Sequence, residues 1–364
     1  MFLSHLSLTN FRSYRNLDIK LEPGISVFIG RNGEGKTNIV ESVLYLSFLS
    51  SHRVASDQPL IQLGNSSAYI RTTVTTPSRD ILVELEINSE RANRARINQN
   101  PTKSQRELFG IVQAIYFSPE DLDLVRGDPK ERRKFLDQLL ILRSPRMAGI
   151  ISDFERAVKQ RNALLKSRAS ADALNPWDLQ LADFGGKIIS ARLKMLQDFT
   201  PIFSTIYQDI SADKLATIKY KSSIDEATTN HEENTKQILE RLQITRSSEI
   251  ERGITLTGPH RDDLILILGD HIVKGYASHG ESWSIVLSLK LATFQLLIND
   301  GLSPILILDD VFSELDEDRR LKLVEIAKTA EQTLITVAVA DDLPTGLTGK
   351  RFLVKSGTVT ETEQ

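Results

Sequence analysis

Residues 30–37 read Gly-Arg-Asn-Gly-Glu-Gly-Lys-Thr and fit G-x-x-x-x-G-K-[ST], between an apolar strand pattern at Ser26-Val27-Phe28-Ile29 and a helical stretch from Asn38 to Leu49. Strand, glycine-rich loop and helix in that order are what phosphate binding demands, and they fix one corner of the fold as an α/β unit. The glycines let the backbone turn tightly enough for consecutive N–H groups to face inward, while the following helix presents its positive end to a β-phosphate. Gly30, Arg31, Asn32, Gly33, Glu34 and Gly35 therefore read as a phosphate cradle. Lys36 reads as the group that neutralises the β and γ oxygens, and Thr37 as a hydroxyl ligand for Mg²⁺. The plain alternative is a chance match on a glycine-rich turn, and the flanking strand and helix count against it.

Far downstream, Ile305-Leu306-Ile307-Leu308 is a buried-strand pattern that ends in Asp309-Asp310. A strand ending in acidic turn residues is commonplace by itself, but beside a P-loop it reads as a Walker B element. Asp309 would anchor the hydrated Mg²⁺, and Asp310, one step nearer the γ-phosphate, would orient or deprotonate the attacking water. ATP and Mg²⁺ are the expected cofactors. Small P-loop GTPases and nucleotide kinases close their site over a much shorter stretch than the one from Thr37 to Asp309, so something large is inserted. Ser278-His279-Gly280-Glu281 precedes Walker B and leads into a helical run from Ser284 to Ile298, and Ser313-Glu314-Leu315-Asp316 follows it. In this order they resemble the signature motif and D-loop of ABC-type ATPases, which would make Ser278 and Gly280 nucleotide contacts. Taken alone, Ser-x-Gly before a helix is an N-cap turn that binds any anion.

The chain resembles one family from end to end: the RecF family of bacterial recombination mediators, relatives of the SMC-type ATPases. The resemblance rests on Asn10-Phe11-Arg12-Ser13-Tyr14, on Gly30 to Thr37 with Asn38 and Glu41, and on Phe117-Ser118-Pro119-Glu120-Asp121-Leu122. It continues through Arg132-Arg133-Lys134-Phe135-Leu136-Asp137, Gly258-Pro259-His260-Arg261-Asp262-Asp263 and Leu308 to Asp316. It implies an ATP-driven homodimer that clamps duplex DNA near single-strand gaps and, with RecO and RecR, helps place RecA on single-stranded DNA. It also implies slow, DNA-stimulated ATP hydrolysis, and a basic side chain at Arg12 laid against the adenine or phosphates. ABC-type geometry has the signature of one chain reach the nucleotide of another, so two chains would sandwich two ATP molecules about a twofold axis.

Two positions depart from the pattern. Glu281 stands where a glutamine is usual, and a carboxylate near a γ-phosphate is repulsive unless a cation or proton intervenes. The apolar strand Thr333 to Val339 offers no histidine of the kind transporters use as a switch, which points to slow hydrolysis, as does Asp310 in place of their glutamate.

The implied architecture is α/β: an ABC-type P-loop ATPase lobe, a mixed sheet with helices, interrupted by an inserted helical lobe. Residues 1–120 form its first part, 121–250 the helical lobe and 251–364 the part with signature, Walker B and D-loop. Asn175-Pro176 and Thr200-Pro201 mark breaks within the helical part, the sheet pattern returns at Ile254 to Leu268, and no sustained heptad repeat is visible. With 40% hydrophobic and 26% charged residues, no cysteine and no signal-like start, the chain reads as a cytoplasmic protein. No apolar run approaches the length needed to span a bilayer, so no membrane partner is expected.

The net charge of −3 argues little against DNA, because DNA responds to local charge. Residues 126–168 hold 12 Lys or Arg against 5 Asp or Glu, and Arg91, Arg94 and Arg96 form a second cluster in a hairpin. A solvated helix face is the plain reading of such runs; the resemblance favours phosphate contacts. Gln113 is a loose candidate for a Q-loop glutamine, His52 and Arg53 follow the P-loop helix, and His260 lacks any metal-ligand spacing. Two other classes remain open. An ATP-gated nuclease would need a further carboxylate-bearing module, and a small-molecule P-loop kinase would not need Ser278 to Glu281.

Overall fold

Strands Ile305–Asp309 and Gln332–Val337 are buried at every position, as expected in the middle of a parallel sheet covered on both faces. They pair in parallel, with Ile307 beside Leu334. Gly24–Ile29 lies along the other side of Gln332–Val337, and Ala114–Phe117 along the other side of Ile305–Asp309. Lys350–Lys355 and an antiparallel edge strand, Thr358–Thr362, complete this mixed six-stranded sheet. Because Gly24–Ile29 and Ile305–Asp309 run the same way on either side of one strand, Gly30 and the Asp309-Asp310 pair emerge at the same C-terminal edge. Open α/β sheets bind their ligands at that edge.

The computed structural model describes residues 1–211 and 214–362. The chain divides into two units, Met1–Asp121 with Thr293–Gln364, and Leu122–Ala292. The first unit also holds an antiparallel six-stranded sheet built from Phe2–Phe11 to Asn100–Pro101. Its strands bury alternate residues, for example Ala68, Ile70, Thr72 and Val74 on Ser67–Thr75, so one face meets the core and the other water. The P-loop helix Lys36–Phe48 shares that core through Ile39, Val40, Val43, Leu44 and Leu46. A buried glutamine stitches the two sheets together: the Leu3 N–H donates to Gln332 Oε1, and Gln332 Nε2 donates to the Leu3 carbonyl, both at 2.9 Å.

The second unit is mostly helical; its long helices include Pro129–Arg143, Met147–Lys166, Ala171–Ile210 and His231–Arg252. It extends to Ala292, so the boundary expected at 250 lies further on. The reason is a strand that the helical reading hid. Ala216–Lys221 pairs antiparallel with Asp263–Leu268, which draws the chain after 250 into this unit instead of the parallel sheet. The sheet pattern begins at Asp263, and residues 254–262 are a loop.

Ala171–Ile210 runs unbroken through Pro176 and Pro201, against the two expected breaks. Each proline leaves the carbonyl four residues earlier without its helical donor. Those carbonyls belong to Asp172 and Gln197, both exposed residues, so neither proline strips a donor from a carbonyl of a buried residue. The helix buries Leu174, Asp178, Leu181, Gly185, Ile188, Arg192, Met195 and Phe199, the alternating spacing of a coiled-coil seam. Hydropathy conceals that seam because three of its positions are Asp, Gly and Arg. The glycines matter for approach: a Cβ on Gly185 would lie 3.0 Å from Ile238 Cδ1, and one on Gly186 2.3 Å from Thr235 Oγ1.

Arg161, fully buried, ties three of these helices together. It donates to Asp178 Oδ1 and Glu249 Oε2, each at 2.6 Å, and to Thr255 Oγ1 at 3.0 Å. Arg161→Met leaves Asp178 to Arg246 alone and Glu249 buried without a cation. Breaking such a pair from one side costs about 3–5 kcal/mol. Urea unfolding followed by helical circular dichroism should show a loss of that size, and a loss below about 1 kcal/mol would mean that the network contributes little.

Among the described residues one helix, His279–Asn299, is long and apolar enough by composition to cross a membrane, but 78% of its apolar window is buried inside the protein.

Candidate active site

The P-loop closes because two of its glycines sit where no side chain fits. Gly35 has φ 111°, and a Cβ there would come within 2.8 Å of Ser13 Oγ and 2.9 Å of the Tyr14 hydroxyl. At Gly30 a Cβ would lie 2.3 Å from the Val354 carbonyl. The buried Tyr14 hydroxyl donates to the Gly35 carbonyl at 3.1 Å, bracing the loop from below. Lys36, only 3% exposed, folds across the loop and donates to the Gly30 carbonyl at 2.7 Å. Glu34 would repel phosphate if its carboxylate faced inward, but that group accepts the backbone N–H of Ser356 in the terminal hairpin.

Thr37 Oγ1 donates to Asp309 Oδ1 at 3.2 Å, so the first residue types expected to hold Mg²⁺ do meet across the sheet edge. A hydroxyl beside a carboxylate is a hard-oxygen set that suits that ion. Asp309 also accepts from Tyr116 at 2.8 Å and from the Thr336 hydroxyl. Burial raises its carboxyl above the usual range, and these donors offset the rise only in part. Burial together with the Asp309 charge holds the Tyr116 phenol far above its ordinary value, so it stays a donor.

Asp310 adopts a left-handed conformation, φ 51°, fixed by its N–H to the Thr336 carbonyl at 3.2 Å and hydroxyl at 3.1 Å. The Asp310 carboxylate lies 3.8 Å from Lys36 Nζ and is 34% exposed. Burial raises its pKa, as do the charges of Asp342 and Glu120, and Lys36 opposes them. Lys36, Thr37, Asp309 and Asp310 thus form one cluster. Tyr116, Thr336 and Asp342 join it without having been singled out in the sequence, and Glu120 joins it from the Phe117 to Leu122 run that carries the resemblance. Only the strand register exposes the first two: Tyr116 lies beside Ile307, and Thr336 directly beside Asp309.

Arg12 does not lie on the first strand. It occupies the turn after Phe2–Phe11 at φ 51°, and its guanidinium grips the fully buried Glu41 of the P-loop helix through two hydrogen bonds, at 2.9 and 2.7 Å. A third N–H goes to the Pro59 carbonyl at 3.0 Å. Burial would raise the Glu41 carboxyl, but hydrogen bonds from Arg12 and Ser51 and the charges of Arg12 and Arg53 outweigh it and hold the pKa low. Arg12 is therefore first a brace between turn and helix. With Asn38, Arg53 and Gln62 it also lines an open cavity of about 550 Å³ beside the P-loop helix.

Gln113 does not sit with the cluster. Its carbonyl accepts from the Ile305 N–H at 2.8 Å, at the start of the Walker B strand, whereas Asp309 stands at the other end. The intervening strand length is about 13 Å at about 3.3 Å per residue.

In the second unit, Ser278 and Glu281 form a reciprocal cap for helix His279–Asn299. The Glu281 N–H donates to Ser278 Oγ at 3.2 Å, and the Ser278 N–H donates to Glu281 Oε2 at 2.8 Å. Lys214 Nζ donates to Glu281 Oε1 at 2.6 Å. The carboxylate beside the signature, expected to repel phosphate unless a cation or proton intervenes, is capped and paired with a cation. His260 is partly buried and packs against Phe154, with Nε2 facing the Thr255 carbonyl at 3.2 Å; desolvation of the ring lowers its pKa to about 4, so it sits in the Gly258 loop as a neutral ring.

The basic run from Arg126 to Arg168 contains two populations. Arg132 makes a bidentate pair with Asp263 at 2.8 and 3.0 Å, Arg161 is buried, Arg143 pairs with Asp198 and Arg133 donates to the Asp262 carbonyl. Lys130, Arg146, Lys159, Lys166 and Arg168 are exposed. In the first unit Arg91 pairs with Glu86 at 2.6 Å, Arg71 pairs with Glu84, and Arg94 and Arg96 lie across from Glu86 and Glu84, so the two carboxylates offset only part of the basic charge.

A P-loop, a Walker B strand one position removed from it in a mixed parallel sheet, and a capped signature helix define an ABC-type P-loop ATPase. A family model described as the RecF/RecN/SMC N-terminal domain matches residues 2–345. The DNA replication and repair protein RecF of Cutibacterium acnes is 48% identical, with 99% of this chain and 98% of that protein covered. The RecF of Streptomyces avermitilis is 46% identical, with 99% of each covered. The chain belongs to the RecF family. A solved structure of the recombination mediator RecF with ATP, in the RecFOR pathway, matches with a TM-score of 0.90 at 25% identity, covering 100% of this chain and 98% of that one. The SMC head bound to the C-terminal winged-helix domain of ScpA matches with a TM-score of 0.58 at 14% identity, covering 100% of this chain and 98% of that one, and shares the fold.

Proposed function

We propose that this chain is an ATP-driven DNA clamp of recombinational repair that acts at replication gaps in the cytoplasm. The observation that carries this reading is the convergence of Lys36, Thr37, Asp309 and Asp310 at one sheet edge, in a family with an ATP-bound member. Lys36 and the cradle N–H groups bind the β- and γ-phosphates. Thr37 and Asp309 hold Mg²⁺, which when bound neutralises phosphate charge. Tyr116 and Thr336 fix the Asp309 carboxylate, and Asp310 accepts a proton from the attacking water. Arg12 and Asn38 border the cavity that would receive the nucleoside.

In the closed state two copies sandwich two ATP molecules, and the Ser278 hydroxyl and Gly280 N–H of one copy contact the γ-phosphate held by the other. That contact exists only when the third phosphate is present, so it supplies the free-energy difference between dimer and monomer. Hydrolysis removes it and releases the pair. The closed dimer binds duplex DNA beside single-strand gaps and, with RecO and RecR, helps load RecA. Light scattering should show the mass doubling with ATP and Mg²⁺ and returning to monomer with ADP; a mass indifferent to nucleotide sinks the reading.

Asp310→Asn keeps Asp309 and Thr37 for the metal while removing the proton acceptor. Steady-state hydrolysis should fall about 10²- to 10⁴-fold and the ATP-bound dimer should persist. Hydrolysis at the wild-type rate would place the base elsewhere.

The exposed cations of the helical unit, Lys130, Arg146, Lys159, Lys166 and Arg168, are the proposed phosphate contacts. Duplex affinity should fall linearly on a log–log plot as salt rises, and each contact removed should reduce that slope by about one. A slope near zero would make these residues a solvated face.

A further inference from the structure

Glu281 brings a permanent negative charge to the N-terminus of the signature helix, the place where the composite-site reading puts another copy's γ-phosphate. Two ways of removing the conflict exist, a proton or a cation. The geometry decides for the cation. Lys214 lies just before strand Ala216–Lys221, and its place is set by the neighbouring backbone, where the Leu215 carbonyl accepts the Gly269 N–H at 2.8 Å. From there its ammonium meets Glu281 Oε1 at 2.6 Å, while the other carboxylate oxygen takes the Ser278 N–H at 2.8 Å.

We propose that Lys214 is a positioning residue for the γ-phosphate contact in trans: it cancels the Glu281 charge and holds that carboxylate in the helix cap, so that the Ser278 hydroxyl faces the incoming phosphate with no uncompensated carboxylate beside it. The inference rests on the sandwich-dimer reading above. Lys214, and after it the Ser278 N–H, lower the Glu281 pKa to about 2, so the carboxylate is ionised throughout the physiological range and protonation cannot serve instead. The Glu281 N–H already points at Ser278 Oγ, which leaves the serine's own proton for an acceptor outside the cap. Arg126, at 2.9 Å from His279 Nδ1, is a second cation beside the motif and is unchanged in the comparison below.

The test is a charge cycle on the full chain. Glutamine at position 281 keeps the cap, because Glu and Gln serve equally at that place, and removes only the charge. Dimer dissociation constants are measured by light scattering on dilution, with Mg²⁺ and a non-hydrolysable ATP analogue, for wild type, Lys214→Met, Glu281→Gln and the double variant. The charge of the 214–281 pair is then neutral, negative, positive and neutral in turn. Lys214→Met should weaken the dimer about tenfold per composite site, Glu281→Gln should tighten it, and the double variant should return to near wild type. Raising the salt should compress all four values toward one another, and monomer affinity for the analogue should not change. Lys214→Met dimerising as wild type does overturns the proposal. So does a double variant as weak as Lys214→Met alone, since Lys214 would then act by shape and not through Glu281. If wild type itself fails to dimerise with the analogue, the sandwich reading falls and this inference falls with it.

Discussion

Ser278→Arg should give a protein that binds ATP as a monomer with wild-type affinity and never dimerises on it. The P-loop, Thr37 and Asp309 belong to the first unit and keep every contact described, whereas Ser278 belongs to the second. Losing the N-cap hydroxyl costs about 1 kcal/mol, too little to unfold a helix that is buried along most of its length. The larger effect is steric: a guanidinium fills the space a partner's γ-phosphate needs, and it also has Glu281 beside it to hold it there. ATP-dependent dimerisation, hydrolysis and ATP-stimulated duplex binding should therefore disappear together. Light scattering with and without ATP reads the first, and a variant that dimerises normally would leave a monomeric P-loop enzyme as the better description.

Lys36→Met should weaken ATP binding about ten- to a hundredfold, since an ionic hydrogen bond to phosphate is worth about 1.5–3 kcal/mol and the β and γ charges are left uncompensated. The substitution keeps the aliphatic stem that fills the loop, so the cradle is not expected to collapse. It also removes the cation 3.8 Å from Asp310, which lets the carboxyl pKa rise further. A fluorescent-nucleotide titration separates the two consequences: binding unchanged with hydrolysis lost would confine Lys36 to catalysis.

What the sequence makes legible is local chemistry. Gly30 to Thr37 and Ile305 to Asp310 can be read because loop, helix and strand are continuous in the chain, and the residues that act stand next to the residues that place them. Tyr116 is invisible by the same logic: its hydroxyl matters only because Ala114–Phe117 pairs with Ile305–Asp309 across a long insertion. Gln113 misleads for the same reason, having the right side chain at the wrong end of that pairing. In the helical unit the seam of Ala171–Ile210 is masked by Asp178, Gly185 and Arg192, which look polar or small until Arg161, Asp137 and the facing helix are in place. Ala216–Lys221 has too few apolar residues to stand out as a strand, and only its partner Asp263–Leu268 defines it. Glu281 appears as an anomaly in the sequence because Lys214, which answers it, lies 67 residues away.

The order of strands in the mixed sheet bears on how the protein is made. Gly24–Ile29 and Ala114–Phe117 leave the ribosome early, yet they do not touch; Gln332–Val337 and Ile305–Asp309, synthesised near the end, lie between them. The antiparallel sheet, whose strands lie within the first 101 residues, can close during translation. The strand that carries the P-loop has no parallel neighbour until the last quarter of the chain has emerged. Competence to bind nucleotide is thus acquired last, and a nascent or prematurely terminated chain carries the loop without the carboxylates that complete it.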